Sequence, residues 1–222
     1  MKYQRTYHLS FSPEVHSDDK TLDKDTELSF LNTNLIASEK LDGGNCCFDN
    51  GKLFARSHAA ETDHPSFSMS KALFQSILYS VDFNFERYLL FGENVQAQHS
   101  IIYDKLKSPF YLFAAYDKLL EKWVSWSKIE EISKIIGIPL VPVVQIVNFK
   151  TIKQFEDWCI AELSKPSLFG STREGFVFRK ENSFNIEDFQ SNVAKIVRHN
   201  HVQTDDHWSK NWIQNKFIKE GV

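Results

Sequence analysis

The amino-acid sequence predicts an α+β fold in which two antiparallel β-sheets are flanked by helices. A strong hairpin signal, Asn50-Gly51, stands between two strand-like runs. Helical patterns are few and do not alternate regularly with the strands, so a parallel sheet built from βαβ units is disfavoured. Since 222 residues suit one domain, we predict a single domain over residues 1–222, with a polar N-terminal segment at 1–35 and a closing C-terminal tail at 199–222.

Composition and charge exclude several classes of protein. The chain has 42% hydrophobic residues and contains 19 Phe, 7 Tyr and 5 Trp against 8 Gly and 6 Pro, which excludes disordered and collagen-like chains. The formal net charge is −3, so no overall positive charge attracts a polyanion. A nucleic-acid partner would therefore have to be held by a local group of cations.

Targeting and redox signals are few. The first twenty residues contain no apolar signal-peptide region, and the longest apolar stretch, Ile138 to Val147, is interrupted by Pro139 and Pro142 and is too short to span a bilayer. We expect a soluble, cytoplasmic protein without a membrane partner. The cysteine spacing suits neither a disulfide framework nor a zinc knuckle, so we predict reduced thiols at Cys46, Cys47 and Cys159.

The strands can be placed in chain order. Residues 1–35 are polar and acidic, which indicates a solvated helix or an extended entry segment. Beyond them, runs of apolar and aromatic residues separated by turn residues indicate strands. We place these strands at 45–48, 52–56, 87–91, 110–116, 122–126, 175–179 and 193–197.

Two helices have recognisable ends. The pattern from Ser127 to Gly137 begins with an N-cap serine, has Glu130 three positions later and ends at a glycine. Its isoleucines at 129, 132, 135 and 136 predict one apolar face. A second helix is predicted from Thr151 to Leu163 by the same helical spacing of apolar residues.

The segment from Ser38 to Asn45, SEKLDGGN, carries the first chemical signal. It places Lys40 two residues before Asp42, and the two glycines that follow allow the backbone to approach a ligand closely. A lysine followed by Asp-Gly is also common in surface turns. This motif alone therefore does not identify a site.

Five more segments occur after it in a fixed order. They are FARSH at 54–58, FGEN at 91–94, FYLFAAYD at 110–117, REGFVF at 173–178 and VAKIVR at 193–198. With these residues in this order, the chain resembles the covalent nucleotidyltransferase superfamily of polynucleotide ligases and capping enzymes. The pattern Glu39-Lys40-x-x-Gly43-x-Asn45 is most similar to the RNA ligase 2 branch, and the resemblance extends from about Ser38 to Arg198.

The resemblance implies a nucleotidyltransferase (ATP-grasp-like ligase) domain that acts as an ATP-dependent RNA ligase. Lys40 would attack the α-phosphate of ATP, form a lysyl-adenylate and release pyrophosphate. An amine attacks only when it is unprotonated, so nearby cations, a metal or desolvation must lower its pKa. Lys195 and Mg²⁺, for which Mn²⁺ can substitute, are the expected sources of positive charge.

The resemblance also implies a role for each further residue. Phe113 would stack on adenine, Glu39 would lie near the adenine edge, and Glu93 would accept hydrogen bonds from the ribose hydroxyls. The implied sets are catalysis by Lys40, Lys195 and Glu174; nucleotide binding by Glu39, Lys40, Asn45, Arg56, Glu93, Phe113 and Lys195; nucleic-acid contact by Asn45, Arg56 and Arg198; and metal coordination by Glu174 and Glu93.

Each of these residues also has an ordinary structural interpretation. Phe113 lies in an apolar run that is typical of a core, and Glu93 and Glu174 are typical of solvated strand ends. Isolated cations such as Arg56 and Lys195 are usually surface residues. The joint order of the motifs favours the functional interpretation.

The chain departs from the family pattern at several positions. Val197 stands where the second lysine of a K-x-K motif is expected, so Arg198 or Lys180 would supply that charge. Asp42 stands where the RNA ligase 2 pattern has His, and Ala114 where it has an acid. These departures predict a different branch of the superfamily.

The resemblance implies RNA with 5′-phosphate and 3′-hydroxyl ends as the partner, with a separate end-healing kinase-phosphatase and a monomeric enzyme. Few residues follow Lys195 in the sequence, so we expect a minimal RNA ligase without an OB-fold module. The alternatives are a DNA ligase or guanylyltransferase that uses another chain's OB module, and a non-catalytic nucleic-acid-binding relative.

The His- and Asp-rich tail at 199–208 leaves one more alternative open. It would be either a metal site or a closing segment with Thr204 or Asp205 as a helix N-cap. A metallonuclease that uses this tail would depend on His201 or His207.

Overall fold

Two β-sheets form the frame of the structure, a computed structural model that describes residues 1–56, 60–199 and 212–218. The strands are β1 (Tyr7–His8), β2 (Leu35–Lys40), β3 (Gly44–Asp49), β4 (Lys52–Ala55), β5 (Tyr88–Asn94), β6 (Phe110–Asp117), β7 (Lys122–Trp123), β8 (Val143–Val147), β9 (Gly175–Lys180), β10 (Phe184–Asn185) and β11 (Val193–Val197). The α-helices are α1 (Lys24–Leu28), α2 (Ser68–Leu78), α3 (Trp126–Ile136) and α4 (Ile152–Leu163), and 3-10 helices lie at Pro65–Phe67 and Ile186–Ser191. This combination confirms the predicted α+β class.

The two sheets differ in one detail of their pairing. The first sheet has the strand order β1-β11-β9-β2-β8, and the second has the order β10-β7-β6-β5-β3-β4. Their pairs are antiparallel except at the edge of the first sheet, where β1 runs parallel to β11. Such a pair needs a long connection, which the intervening chain supplies. The N-terminal strand therefore joins the sheet beside the last strand.

The hairpin between β3 and β4 confirms the Asn-Gly prediction. Asp49 pairs with Lys52 across the turn. Asn50 has a φ of 44° and Gly51 a φ of 83°, as a two-residue hairpin turn of the type favoured by Asn-Gly requires.

Helix α3 confirms the predicted helix but not its start. The N-cap is Ser125, whose Oγ accepts a hydrogen bond from Lys128 N at 3.3 Å, so the prediction of Ser127 as the N-cap was wrong by two residues. The helix ends at Gly137, which has a left-handed φ of 70°. Ile135 is exposed, while the other three isoleucines are buried. Helix α4 begins as predicted, with Thr151 as its N-cap.

Three of the longer elements had no prediction. Strand β2 contains the motif lysine, and β8 pairs with β2 at the edge of the first sheet in a stretch flanked by prolines. Helix α2 follows Phe67, which makes no side-chain capping hydrogen bond. The strand predicted at 122–126 is reduced to the two residues of β7, because α3 begins at Trp126.

The N-terminal 35 residues contribute more to the core than their polar composition predicts. Leu9, Leu22 and Phe30 are buried together with Phe155 of α4 and with alternate residues of β9. Helix α4 therefore covers one face of the first sheet. Because strand side chains alternate between faces, the other face of this sheet is left to meet the second sheet.

The cysteines agree with the prediction of reduced thiols. The thiols of Cys46, Cys47 and Cys159 are free and buried, and burial raises the pKa of Cys47 to about 12. Within the described ranges, no helix has the length and apolar character that crossing a membrane requires.

Candidate active site

The register of the first sheet brings Lys40 and Glu174 together. Lys40 ends β2 and pairs with Gly175, the first residue of β9. Glu174 therefore lies directly beside it, and Lys40 Nζ donates a hydrogen bond to Glu174 Oε1 at 2.6 Å. The Lys40 side chain is 27% exposed and that of Glu174 5%, so this ion pair is mostly shielded from solvent.

Gly175 is required by the close approach of β11. A Cβ at this position would lie 2.0 Å from Ile196 O, a distance that the backbone cannot accept. On the same side, Arg198 N donates to Glu174 O at 2.8 Å. The strand contacts on both sides of Gly175 thus fix the backbone that carries Glu174.

Lys195 lies on the same face of the sheet as Lys40. Lys195 pairs with Val177, which pairs with Ser38 on β2. Residues opposite each other in an antiparallel pair share a face, and so do residues two apart on one strand. Lys195 Nζ lies 3.3 Å from Asp19 Oδ1, a contact from the N-terminal segment.

The second sheet supplies the facing wall. Asn45 on β3 pairs with Glu93 on β5, and Phe113 lies on the neighbouring strand β6. The ring centroids of Phe113 and Tyr3 are 5.0 Å apart in an edge-on arrangement. An aromatic pair from β6 and the N-terminus therefore borders this wall.

Between the sheets lies a cleft of about 680 Å³. This volume is within the usual range for small-molecule sites. Seven of the residues implicated by the sequence line the cleft: Glu39, Lys40, Asn45, Arg56, Glu93, Phe113 and Lys195. Glu174 reaches the cleft through its ion pair with Lys40, and Arg198 follows β11 beside the Glu174 carbonyl. Their chemical roles stay predictions.

The electrostatics of Lys40 differ from the sequence-based expectation of a lowered pKa. Burial disfavours the charged amine, but its acidic neighbours, first among them the Glu174 carboxylate, outweigh this effect and raise the pKa of Lys40. The pKa of Lys195 is lowered, first by burial and then by Lys40, with partial opposition from Asp19 and Glu174. Lys40 is thus held as an ammonium group by its acidic neighbours.

Glu93 has a strongly perturbed carboxyl group. Burial raises its pKa to about 8, and Glu174 and Asp42 add to this effect, while Lys40 and Arg56 oppose it. A neutral carboxyl at pH 7 can donate a hydrogen bond as well as accept one. Perturbed groups in a cleft are candidates for function, so the pKa of Glu93 agrees with its placement in a site.

Glu39 points its carboxylate away from Lys40, because adjacent strand residues face opposite sides. Its Oε2 accepts from Leu168 N at 3.3 Å and lies 3.6 Å from Arg173 Nε. Arg173 also donates to Glu162 O at 3.0 Å. In the structure, the Glu39 carboxylate therefore contacts Leu168 and Arg173 behind the cleft. Its predicted contact with the adenine edge stays a prediction.

Asp42 was noted in the sequence only as a departure from a pattern. Its Oδ2 accepts hydrogen bonds from Ser100 N and Ile101 N, each at 2.7 Å, and its own N donates to Tyr103 Oη at 2.9 Å. Asp42 therefore anchors the segment at 100–103 beside the end of β2, which is a structural role.

Arg179 is a cleft residue that the sequence analysis missed. It is 4% exposed and lines the cleft, and its Nη2 donates to Val124 O. Among the described residues, its Nε and Nη1 have no hydrogen-bond partner. Burial lowers its pKa to about 10. The sequence did contain a signal for this position. Arg179 lies two residues after Val177 on the same strand, so both side chains lie on the same face of the sheet.

Lys180, one of the two candidates for the missing second cation, lies on the other face. It pairs with Leu35, and its Nζ donates to Ser29 Oγ at 3.2 Å. Arg179, its neighbour, is the cation of β9 that faces the cleft. Lys180 is therefore not placed to contact a group in the cleft.

Two predictions fall outside the described residues. His58 of the FARSH segment belongs to residues 57–59, and the tail residues His201 and His207 and the caps at Thr204 and Asp205 belong to 200–211. In the described part of the chain, no group of three or more His, Cys, Asp or Glu residues could hold a metal ion. A Mg²⁺ ion that coordinates one or two carboxylates together with phosphate oxygens needs no such group. Glu174 bonds Lys40 and Glu93 lines the cleft, so both offer carboxyl oxygens there, and their assignment to a metal stays a prediction.

Comparisons with known proteins agree with this geometry. The family model described as RNA ligase matches residues 33–197. A Naegleria gruberi RNA ligase mutant solved with ATP and Mn is similar at a TM-score of 0.59 and 17% identity, covering 90% of this chain and 56% of that chain. The same Naegleria ligase solved with PPi gives a TM-score of 0.57 at 16% identity, with 89% and 59% covered.

An archaeal ATP-dependent RNA ligase is also similar, with a TM-score of 0.57 at 11% identity and with 89% of this chain and 48% of that chain covered. The chain thus spans roughly half the length of these solved proteins, and at such identities the likeness establishes a shared fold. Among curated proteins, none matches the sequence.

Proposed function

Because the chain belongs to the RNA ligase family, we propose that it is an ATP-dependent RNA ligase that joins 5′-phosphate and 3′-hydroxyl RNA ends. The observation that carries the proposal is the position of Lys40, at the end of β2 in a cleft between two sheets, with Lys195 on the same face and Glu174 hydrogen-bonded to its amine. A nucleophilic amine, a carboxylate and a second cation are the groups that nucleotidyl transfer to lysine needs.

The first step is adenylation of the enzyme. The neutral Nζ of Lys40 attacks the α-phosphorus of ATP, a P–N bond forms, and the bond from that phosphorus to the bridging oxygen breaks as pyrophosphate leaves. Before attack the ammonium must lose one proton, and Glu174 Oε1, at 2.6 Å, is the carboxylate within reach of it. Loss of that carboxylate's charge removes the largest attraction on the ammonium, so burial then opposes the charged form more effectively.

Other cleft residues have roles that suit their chemistry. Lys195 and Arg56 donate to phosphate oxygens as charge develops there. Phe113 and Glu93 both line the cleft; we assign the Phe113 ring to stacking on adenine and the Glu93 carboxyl to a hydrogen bond with a ribose hydroxyl. Glu174 and Glu93 are the oxygen donors for Mg²⁺, which when bound supplies positive charge that offsets the charge of the phosphates.

The later steps use the lysyl-adenylate. The 5′-phosphate of RNA attacks the adenylate phosphorus and the P–N bond to Lys40 breaks, which gives an RNA-adenylate. The 3′-hydroxyl then attacks the 5′-phosphate and displaces AMP. Asn45, Arg56 and Arg198 are proposed to contact the RNA in these steps. We also propose that the protein acts as a cytoplasmic monomer on ends prepared by a separate kinase-phosphatase.

Incubation with ATP labelled at the α-phosphate and Mg²⁺ tests the proposal. We expect label that survives denaturation and is released by acid, as a phosphoramidate is. Lys40→Ala should abolish it, whereas Lys52→Ala, at an exposed position on β4, should leave it unchanged. No adduct with wild-type protein, or an equal adduct with Lys40→Ala, would contradict the proposal.

The choice of substrate needs a second assay. Matched nicks in RNA and DNA duplexes, sealed with ATP or GTP, separate an RNA ligase from a DNA ligase and a guanylyltransferase. We expect sealing of RNA with ATP. Preferential sealing of DNA, or an adduct formed only with GTP, would favour those alternatives.

A further inference from the structure

Asp19 is a partly buried link between the N-terminal segment and the cleft. Its Oδ1 lies 3.3 Å from Lys195 Nζ and 3.2 Å from His8 Nε2. The side chains of Lys195, Asp19 and His8 are 17%, 15% and 1% exposed. Lys195 is thus the only one of the three that lines the cleft within the described residues, and Asp19 stands behind it.

The backbone holds Asp19 in this place. His8 pairs in parallel with Lys195, and the chain then folds back, so that His8 N donates to Lys20 O and Leu22 N to His8 O, each at 2.8 Å. Asp19 Oδ2 accepts from His16 N at 3.2 Å, and Asp19 N donates to His16 O at 3.0 Å. A closed turn therefore presents the carboxylate to Lys195.

The charges around Lys195 explain why such a carboxylate matters. Lys40 repels the Lys195 ammonium, Glu174 and Asp19 attract it, and burial disfavours its charge. Burial, with Lys195, lowers the pKa of His8 to about 4, so His8 is neutral at pH 7 and does not compete as a cation. The pKa of Asp19 is lowered to about 2, because hydrogen bonding from His16 and the charge of Lys195 outweigh its burial. The Asp19 carboxyl is therefore negatively charged at pH 7.

We propose that Asp19 is a positioning residue that holds the Lys195 ammonium at the cleft wall, where it meets the phosphates of the nucleotide. The inference rests on the proposed function. The contact with Asp19 explains how the Lys195 ammonium is stabilised, although its burial and the charge of Lys40 both disfavour it. The inference also assigns a functional contact to the N-terminal segment, which the motifs from Ser38 onward do not include.

A purely structural role for Asp19, tying the N-terminus to the sheet, makes a different prediction. Such a role would change stability but not the titration of Lys195. The acylation rate of Lys195 as a function of pH, measured by peptide mapping after treatment with acetic anhydride, separates the two roles without requiring any adenylation activity. Only the neutral amine reacts.

The variants are Asp19→Asn, Asp19→Glu and the matched control Asp18→Asn, whose carboxylate is 80% exposed. We expect Asp19→Asn to speed acylation of Lys195 several-fold at pH 8, and Asp19→Glu and Asp18→Asn to react like the wild type. In adenylation, Asp19→Asn should lower the rate about tenfold and move the alkaline limb of the pH profile to lower pH. An unchanged acylation profile in Asp19→Asn would overturn the inference.

A double-mutant cycle completes the test. If Asp19 acts through Lys195, Asp19→Asn should have little further effect on adenylation in a Lys195→Met background. Full additivity of the two losses would contradict the inference. If the wild type forms no adduct, the proposed function fails, while the acylation profile still decides whether Asp19 holds the Lys195 ammonium.

Discussion

Lys40 Nζ and Glu174 Oε1 lie 2.6 Å apart, although 134 residues separate the two in the chain. The contact follows from the pairing of Lys40 with Gly175. It has two consequences for a nucleophile: it fixes the position of the amine, and it stabilises the protonated form that cannot attack. The Glu174 carboxylate thus positions the Lys40 amine and at the same time lowers its reactivity.

Glu174→Gln should make Lys40 more reactive toward a small acylating reagent. The variant removes the largest attraction that opposes the burial of the ammonium, so the pKa of the amine falls. We expect acylation of Lys40 at pH 8 to rise at least several-fold, measured by peptide mapping, while adenylation by ATP and Mg²⁺ falls by at least a hundredfold. Lys153, paired with Asp157 at the surface, is the internal reference. Slower acylation of Lys40 would contradict the electrostatic account.

Glu93→Gln should increase stability in a pH-dependent way. The pKa of Glu93 is raised to about 8, so the unfolded chain loses this proton near its ordinary pKa while the folded chain keeps it. The stability of the wild type is therefore complete at low pH and is lost as pH rises toward 8. We expect equal unfolding free energies near pH 4 and an advantage for Glu93→Gln of about 1 to 3 kcal/mol at pH 8.

Urea unfolding at several pH values measures this difference. Glu86→Gln, at an exposed position shortly before β5, is the matched control and should show no such trend. An advantage of Glu93→Gln that stays constant from pH 4 to pH 8 would show that the raised pKa is not its cause.

Gly175→Ala should damage both stability and the site. A Cβ would lie 2.0 Å from Ile196 O, so β9 and β11 must separate where Glu174 and Lys195 are held. We expect a loss of about 2 to 3 kcal/mol in the free energy of unfolding, with reduced adenylation. Gly137→Ala meets nothing within 4 Å and should cost only about 1 kcal/mol for its positive φ, with adenylation unchanged. Equal effects of the two substitutions on adenylation would argue against this account.

The ordered motifs were enough to predict most residues of the candidate site. Strands have a recognisable hydrophobic pattern, and the polar residues of the site lie within those strands or at their ends. Asn45 and Glu93, for example, lie on paired strands whose hydrophobic runs are visible in the sequence. The contact of Asp19 could not be predicted in this way. Asp19 lies in a turn of a polar segment and contacts Lys195, which is 176 residues away in the chain. Only the parallel pairing of β1 with β11 places it there.

The start of α3 was predicted wrongly because the sequence offers two N-cap residues there. Ser125 and Ser127 are both good N-caps, and the pattern favoured Ser127 because Glu130 follows it at capping-box spacing. The structure begins the helix earlier, since Trp126 is buried as its first residue. Burial of a large aromatic side chain thus outweighed the local capping preference.

Arg179→Met should separate nucleotide binding from stability. Arg179 is buried, its Nε and Nη1 have no hydrogen-bond partner among the described residues, and its guanidinium lies 4.9 Å from the Phe184 ring centroid. A buried charge with unsatisfied donors is costly to a fold, and an apolar side chain of similar size removes that cost. We expect the melting temperature to stay equal or rise, although the hydrogen bond to Val124 O is lost.

In adenylation the same variant should raise the KM for ATP about tenfold, which corresponds to about 1.4 kcal/mol, because the donors of Arg179 line the cleft in which ATP is proposed to bind. Lys122→Met, at an exposed position on β7, is the control and should leave both quantities unchanged. An unchanged KM with a lower melting temperature would mean that Arg179 serves the fold through Val124 and Phe184 instead. The expected pair of results, retained stability with weakened ATP binding, follows only if the buried cation is stabilised by a ligand.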